Sequence, residues 1–339
     1  MPVTIREVAQ RLHLSITTVS RALDGYSDVA EATRELVVRT AHQMGYAPNQ
    51  AARQLRRQRS ESLGYILPAS EPQFADPFFS QFISGLGDEA ARRSYDLLIS
   101  SAPPAAEAEA SLYQRWCQAR RVDGFILNRI RLRDWRVHYL TQQGVPFVSL
   151  ERPSGKSAFP SIEVDGCGGF MALMAHLTGL GHQRIAYVGG RADYKIQADR
   201  FAGYQAGLVA ANVAFDPALI AADELNRAGG YRAAQHLLSL PRPPSAITCV
   251  NDLMAIGVLQ AARERGLIAG SDLAVAGFDG IEETEHTLPP LTTLKQPVYD
   301  IARRLVSMLL ALIRGETLAD RHVRLQPELI IRASTQPAA

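Results

Sequence analysis

The chain has 339 residues, is 47% hydrophobic and 21% charged, and so has an ordinary globular composition spread over more than one small core, which points to two or three domains. Its net charge of +2 is unevenly placed: residues 1–60 hold nine arginines against five acids, a local balance of +4, which suggests a polyanionic partner at that end. Cys117, Cys167 and Cys249 are scattered without a CxxC pair, which argues against a disulfide framework or a zinc site, and the charged start Met-Pro-Val-Thr-Ile-Arg-Glu lacks a secretory apolar core, so a cytoplasmic location is expected.

The first elements read as two short helices at a tight turn. Thr4 is placed to cap the first, where Val8, Ala9 and Leu12 recur at helical spacing. His13-Leu14 makes the turn, and Ser15 caps a second helix that runs to about Leu23, with Val19, Ala22 and Leu23 facing inward. Ile16, Thr17, Thr18, Ser20 and Arg21 are then left on the outside. Small hydroxyls plus a guanidinium suit phosphates and base edges in a DNA major groove, where a bidentate arginine reads guanine. Taken alone, the same pattern also fits a helical hairpin with a solvated face.

A third helix is expected over Glu31–Met44, packing through Leu36, Val37 and Ala41 and ended by Gly45. Beyond Tyr46-Ala47-Pro48, the segment from Asn49 (Gln-Ala-Ala-Arg-Gln-Leu-Arg-Arg) has a good cap but forms only about two turns, too few to be stable unaided. Leu55 displayed among Arg53, Arg56 and Arg57 is what a minor-groove wedge needs; a plain charged linker is the other reading. From Ser62 onward apolar strands alternate with amphipathic helices. Strands are expected at 63–67, 96–100, 123–127, 145–150, 184–188, 245–249 and 273–278, with helices such as 80–93, 168–180, 198–211, 228–239 and 252–266 between them. Continuous apolar strands in that alternation mean parallel sheets covered on both faces, and two series mean two lobes with a ligand cleft at the carboxyl ends of the strands. The longest apolar run, Leu305–Ile313 broken by Ser307, is far too short to span a membrane and reads as a buried helix.

In both parts the chain resembles the lactose-repressor type, or LacI/GalR, family of transcriptional regulators. Thr4-Ile-Arg-Glu-Val-Ala9, Ser15 with Thr18-Val-Ser-Arg-Ala-Leu23, Thr33-Arg34 and Gly45-Tyr46 with Pro48-Asn49 follow the family's headpiece, and Ala52-Arg53 with Leu55 its hinge helix. Asp76-Pro-Phe-Phe79, Asp165, Gly181-His182, Arg200-Phe201, Asn251-Asp252, Gly277-Phe-Asp279, Pro290-Leu-Thr-Thr293 and Gln296 fall at its landmarks in the body. The resemblance implies an all-α helix-turn-helix headpiece (1–47), a hinge helix and linker (48–61), and a two-lobed α/β periplasmic-binding-protein-like core with parallel sheets (62–339). The first lobe would span about 62–161 and 293–325, the second about 162–292 and 326–339.

It further implies a homodimer on near-palindromic double-stranded operator DNA. Ile16, Thr17 and Arg21 would select bases; Thr4, Ser15, Thr18, Ser20, Thr33, Tyr46 and Asn49 would grip the backbone. Ala52 and Arg53 would follow the hinge helix into the minor groove, with Leu55 intercalating. Arg200, Asn251, Asp279 and Gln296 match effector-binding positions and suit vicinal hydroxyls. Phe78, Phe79 and Tyr194 offer stacking faces for a sugar ring, and Glu151 lies where sugar-responsive members are often acidic. Each has a plainer alternative: Phe78 and Phe79 as core, Asp279 as a turn residue, Arg200 as a surface residue. The expected effector is a carbohydrate, with a purine as the alternative. No cofactor, metal or membrane partner is expected, and no catalysis: no P-loop or Gly-x-Ser-x-Gly elbow occurs, Gly166-Cys-Gly-Gly169 reads as a turn, and His176 and His182 lie off a common helical face. A periplasmic solute-binding protein would share the body but has no use for residues 1–57.

Overall fold

The computed structural model describes residues 3–46, 59–67, 76–102, 106–153, 155 and 159–336. It divides into two compact units, 1–60 and 61–339, so the expected hinge residues Asn49, Ala52, Arg53 and Leu55 lie outside the described residues.

Among its described residues the first unit packs three helices together: α1 (Ile5–Leu12), α2 (Ile16–Leu23) and α3 (Glu31–Gln43). A capping box joins Thr4 and Glu7, each side chain satisfying the other's backbone N–H. His13, in left-handed conformation at φ 53°, ends α1, and Ser15 Oγ caps α2 by accepting Thr18 N–H at 3.0 Å. Val8, Ala9, Val19, Ala22, Val29, Val37 and Ala41 form the core. Two expectations fail here. Ser20, expected outside, is only 6% exposed, because α2 is wedged against both α1 and α3 and its buried stripe widens to take in a small serine. Leu36, expected to pack, is 41% exposed; the inward stripe of α3 is Val37 and Ala41, four apart, and Leu36 stands one step off it.

The second unit holds two six-stranded sheets. The first is built from β1 (Ser62–Leu67), β2 (Asp96–Ser101), β3 (Gly124–Leu127), β4 (Phe147–Leu150), β5 (Ser161–Val164) and β11 (His322–Leu325), in the order β11-β5-β4-β3-β1-β2. The second contains β6 (Ile185–Gly189), β7 (Ile220–Ala222), β8 (Ala246–Cys249), β9 (Ala274–Asp279), β10 (Thr292–Lys295) and β12 (Glu328–Ile330), in the order β12-β10-β9-β8-β6-β7. Every ladder is parallel except β10 with β12. The central strands β1, β3, β4, β6 and β8 are buried at every position, as strands covered on both faces require.

Helices α4 (Pro77–Arg92), α5 (Ala106–Gln118) and α6 (Trp135–Gln143) connect the strands of the first sheet, and α12 (Val298–Arg314) packs on it after the chain returns. In the second lobe lie α7 (Gly166–Gly179), α8 (Lys195–Ala210), α9 (Arg227–Leu237), α10 (Asp252–Glu264) and the single turn α11 (Glu283–His286). The Gly166–Gly169 cluster is a capped helix start: Asp165 Oδ1 accepts Gly168 N–H at 2.9 Å and the Arg324 guanidinium at 2.7 Å. The sheets place two lobe crossings slightly later than the expected boundaries, since Ile162–Val164 belong to the first sheet and Thr293–Lys295 to the second.

Close helix contacts hold the second lobe together. A Cβ on Gly257 of α10 would sit 2.0 Å from the Arg227 carbonyl oxygen, and one on Gly230 of α9 2.0 Å from that of Met254. Gly257→Ala therefore overpacks this crossing and should cost at least about 1–3 kcal/mol, read as a lowered midpoint in urea. Gly179→Ala, at an exposed helix end with nothing within 4 Å, should not lower that midpoint. Equal midpoints for the two variants would mean the crossing is looser than described.

Candidate functional site

In the first unit the outward side of α2 presents Ile16, 46% exposed, and Thr17, with Arg21 half-buried one turn on. Ser15 and Thr18 share a hydroxyl contact of 2.8 Å at the helix start. Thr33 is half-buried on α3, and Tyr46 packs partly onto the core. Arg21 is oriented by a neighbour that the sequence reading did not single out. Its Nε donates to Asp28 Oδ1 at 3.2 Å and its Nη2 to Oδ2 at 2.5 Å, while the guanidinium lies 4.6 Å from the Tyr26 ring centroid. Asp28 thus takes the Nε edge. The Nη1–Nη2 edge carries two parallel N–H groups, the geometry that matches guanine O6 and N7. Arg34 steadies the intervening loop by donating to Glu31 and to the Tyr26 carbonyl, both at 2.8 Å.

In the second unit a cleft, partly open to solvent, is lined by both lobes, at the carboxyl ends of the strands where parallel α/β folds place their ligands. Of the eight residues expected there, Phe78, Phe79, Glu151, Arg200, Asn251, Asp279 and Gln296 line it. Tyr194 does not: it is 7% exposed and pairs with Arg131 across the lobes, because it precedes α8 and only the residues after it turn into the cleft. Phe79 is 2% exposed and belongs to the core as much as to the cleft, whereas Phe78 is half-buried and stacked on Phe82 at 6.1 Å.

Arg200 is the centre of the second-lobe side. It is 5% exposed, donates from Nη1 to the Val250 carbonyl, lies 3.6 Å from the Phe278 ring centroid and places Nη2 3.7 Å from Asp279 Oδ1. Gln296 Nε2 donates to the same Asp279 oxygen at 2.7 Å. Asp279 has φ 123°, a region non-glycine residues avoid unless held there. Buried Asp252 does the holding: its carboxylate accepts the N–H groups of Gly280 at 2.7 Å and Ile281 at 3.0 Å and the Thr293 hydroxyl at 2.6 Å. Asn251 caps α10 through Met254 N–H and donates to the Leu225 carbonyl.

The carboxyl groups here are shifted by their surroundings. Burial pushes Glu151 up to about 7, against the Val164 amide and the Arg200 charge, and Asp252 up to about 6, against its own hydrogen bonds. Asp279 also rises well above the usual range, through burial opposed by Arg200 and reinforced by Asp252 and Asp76. Asp76, Asn128, Arg129 and Ile196 line the cleft without having been assigned to it from sequence. Asn128 carried a usable signal, as the first polar residue past the carboxyl end of a parallel strand. His176 and His182 are each bonded to a hydroxyl, of Thr335 and Ser245. Among the described residues no group of three or more His, Cys, Asp or Glu side chains is placed to hold a metal, and no helix is long and apolar enough to cross a membrane.

Comparison with known proteins agrees with both halves. Residues 4–49 match the family model for bacterial regulatory proteins of the lacI family, and residues 174–335 that of the periplasmic binding protein-like domain. The transcriptional regulator AglR of Rhizobium meliloti is 31% identical over 342 residues, covering all of this chain and 96% of that protein. The transcriptional repressor CytR of Escherichia coli is 32% identical, covering 98% of this chain and 96% of its own length. This chain belongs to the LacI family. Among solved structures, the lac repressor dimer bound to operator and the anti-inducer ONPF superposes with a TM-score of 0.87 at 28% identity, over 99% of this chain and all of that one. The CelR–cellobiose complex does so with a TM-score of 0.76 at 27% identity, over 98% and 99%. As a LacI-family member, the protein is a DNA-binding transcriptional regulator with the family's helix-turn-helix headpiece and two-sheet core.

The Glu151 shift gives a test of the cleft. A carboxyl raised from 4.5 to about 7 on folding contributes stability that is full below pH 4.5 and lost as pH rises through 7. Glu151→Gln cannot ionise and can still accept from Val164. Its melting temperature relative to the parent chain should therefore move in the variant's favour between pH 4.5 and 7 and level off above. A constant difference from pH 5 to 8 would place the carboxyl in a solvated setting instead.

Proposed function

We propose that this regulator recognises a near-palindromic operator as a homodimer in the cytoplasm, and that a carbohydrate in the cleft controls its operator affinity without any catalytic step. In the headpiece, Ile16, Thr17 and Arg21 read bases, and Thr4, Ser15, Thr18, Thr33, Tyr46 and Asn49 hold the backbone. Ser20, being buried, supports α2 from within. Ala52, Arg53 and Leu55 enter the minor groove, with Leu55 as the wedge.

The observation that carries the ligand reading is the Arg200 cluster. A guanidinium, two carboxyl groups and the Gln296 amide, crowded at one end of the cleft, supply alternating donors and acceptors for vicinal hydroxyls. Phe78 on the opposite lobe offers an apolar face of the kind sugar rings stack on, with Phe79 packed edge-on beside it. The structures titled with cellobiose in CelR and ONPG in the lac repressor lend support from relatives of the same fold. The effector shifts operator affinity only by its differential affinity for two lobe arrangements, so effects of about 1–3 kcal/mol are expected.

A thermal-shift screen against mono- and disaccharides, with purines as the competing class, decides the ligand. A sugar should raise the melting temperature of the parent chain and leave that of Arg200→Ala unmoved, while Arg200→Ala still binds operator DNA. Stabilisation by purines and not by sugars would refute the carbohydrate reading.

Operator selection from random duplexes, followed by anisotropy titration, tests the headpiece. Arg21→Ala should lose roughly 1–3 kcal/mol at one guanine pair, and Leu55→Ala should weaken operator binding while sugar affinity stays unchanged. Undiminished operator affinity in Leu55→Ala would remove the wedge.

A further inference from the structure

Two short segments, one from each lobe, meet across the cleft and do something its lining alone does not explain. Leu132 N–H donates to the Asp193 carbonyl at 2.8 Å, and Lys195 N–H donates to the Ile130 carbonyl at 2.8 Å. Arg131 and Tyr194 thereby face each other as a single antiparallel pair. Both segments run directly into the cleft: Asn128 and Arg129 immediately precede the first, and Ile196 and Arg200 follow the second on α8.

The first segment is not a loose loop. Arg136, only 1% exposed, donates to both Asp134 oxygens at 2.9 and 2.6 Å and to the carbonyls of Asn128 and Arg129 at 3.1 Å. Asp134 in turn accepts Arg131 N–H at 3.0 Å. A buried guanidinium bonded in this way through Nε and Nη2, with Nη1 3.6 Å from Glu109, fixes backbone geometry, because movement strands a charge away from water. The two interlobe bonds are therefore made or broken by displacement of whole lobes.

We infer that residues 130–132 and 193–195 form a clasp between the lobes, and that its closure sets the spacing of the cleft, so that clasp closure and cleft occupancy are one equilibrium. This rests on the ligand reading above for what fills the cleft, but not for the clasp itself. A ligand touching Asn128 or Arg129 on one side and Arg200 on the other favours the spacing that the clasp favours, and the coupling is reciprocal.

Lys195 allows one bond to be deleted cleanly. It is the first residue of α8, where the N–H lies outside the helical ladder and proline is well tolerated. Tyr194, at φ −81° and ψ 136°, already has the extended conformation that precedes proline. Lys195→Pro removes the N–H and the ammonium that pairs with Asp199; Lys195→Ala removes only the ammonium. The difference between the two variants is the clasp bond.

Hydrogen exchange of the full, ligand-free chain, read by mass spectrometry, should show the amides of 130–134 and 196–200 exchanging several-fold faster in Lys195→Pro than in Lys195→Ala. Equal exchange overturns the clasp. With the disaccharide that stabilises the parent chain most in the thermal screen, Lys195→Pro should bind roughly 2- to 12-fold more weakly than Lys195→Ala, the worth of one net hydrogen bond. Equal affinities, despite altered exchange, overturn the link to the cleft. If no mono- or disaccharide binds the parent chain, the carbohydrate reading falls and the exchange comparison still decides the clasp.

Discussion

Arg200 lies almost wholly out of water, and the ligand cleft is arranged around keeping its charge answered. Its guanidinium has a carbonyl on one side, the face of Phe278 on another and the Asp279 carboxyl on a third. Removing a cation from water is costly unless each donor finds a partner, so these contacts must persist together or fail together. They come from β8's end, β9 and α8, so the site exists only while the second lobe is correctly packed. Burial raises Asp279, Asp252 and Glu151 above the usual carboxylate range, and the Arg200 charge opposes that rise in all three.

Three non-glycine residues that line the cleft sit in left-handed backbone, Arg129 at φ 50°, Glu151 at φ 70° and Asp279 at φ 123°. Such conformations cost on the order of 1–3 kcal/mol each and persist where surrounding bonds over-determine them. Asp252 supplies those bonds for the 279–281 turn, and the Ile162 carbonyl and Val164 amide supply them for Glu151. The Arg136 guanidinium holds the Arg129 carbonyl, so strain is concentrated where residues enter the cleft, just past or at the carboxyl ends of β3, β4 and β9.

The headpiece meets a different demand with far less material. Among the described residues its core is seven buried small or medium side chains with larger ones such as Leu12, Leu23 and Tyr46 packed partly against them, and helix caps add to it: Thr4 with Glu7, Ser15 with Thr18, and the left-handed His13 between them. The Arg21–Asp28–Tyr26 arrangement adds nothing a core requires. An exposed ion pair of this kind contributes little to stability; its effect is to restrict which edge of the guanidinium faces outward before any DNA arrives.

Much of this was legible in local sequence, and the rest was not for identifiable reasons. The caps at Thr4 and Ser15 and the parallel strands at 63–67, 123–127 and 273–278 followed from residue type and period, and the cleft positions Arg200, Asp279 and Gln296 from the family resemblance. Those signals are local or sit at the ends of strongly apolar strands. The short strands 161–164, 220–222, 292–295, 322–325 and 328–330 were not read, because three or four residues are too few to carry a detectable period. Ser20, Leu36 and Tyr194 were misplaced because the burial of a single side chain depends on which neighbour covers it. Sequence by itself determined the two-part plan and the chemistry available to each part. Only the tertiary structure decided that Asp28 would orient Arg21, that Asp252 would hold the Asp279 turn, and that residues 130–132 would meet 193–195, since these partners are brought together by the path of the chain between elements and by no period or motif within one.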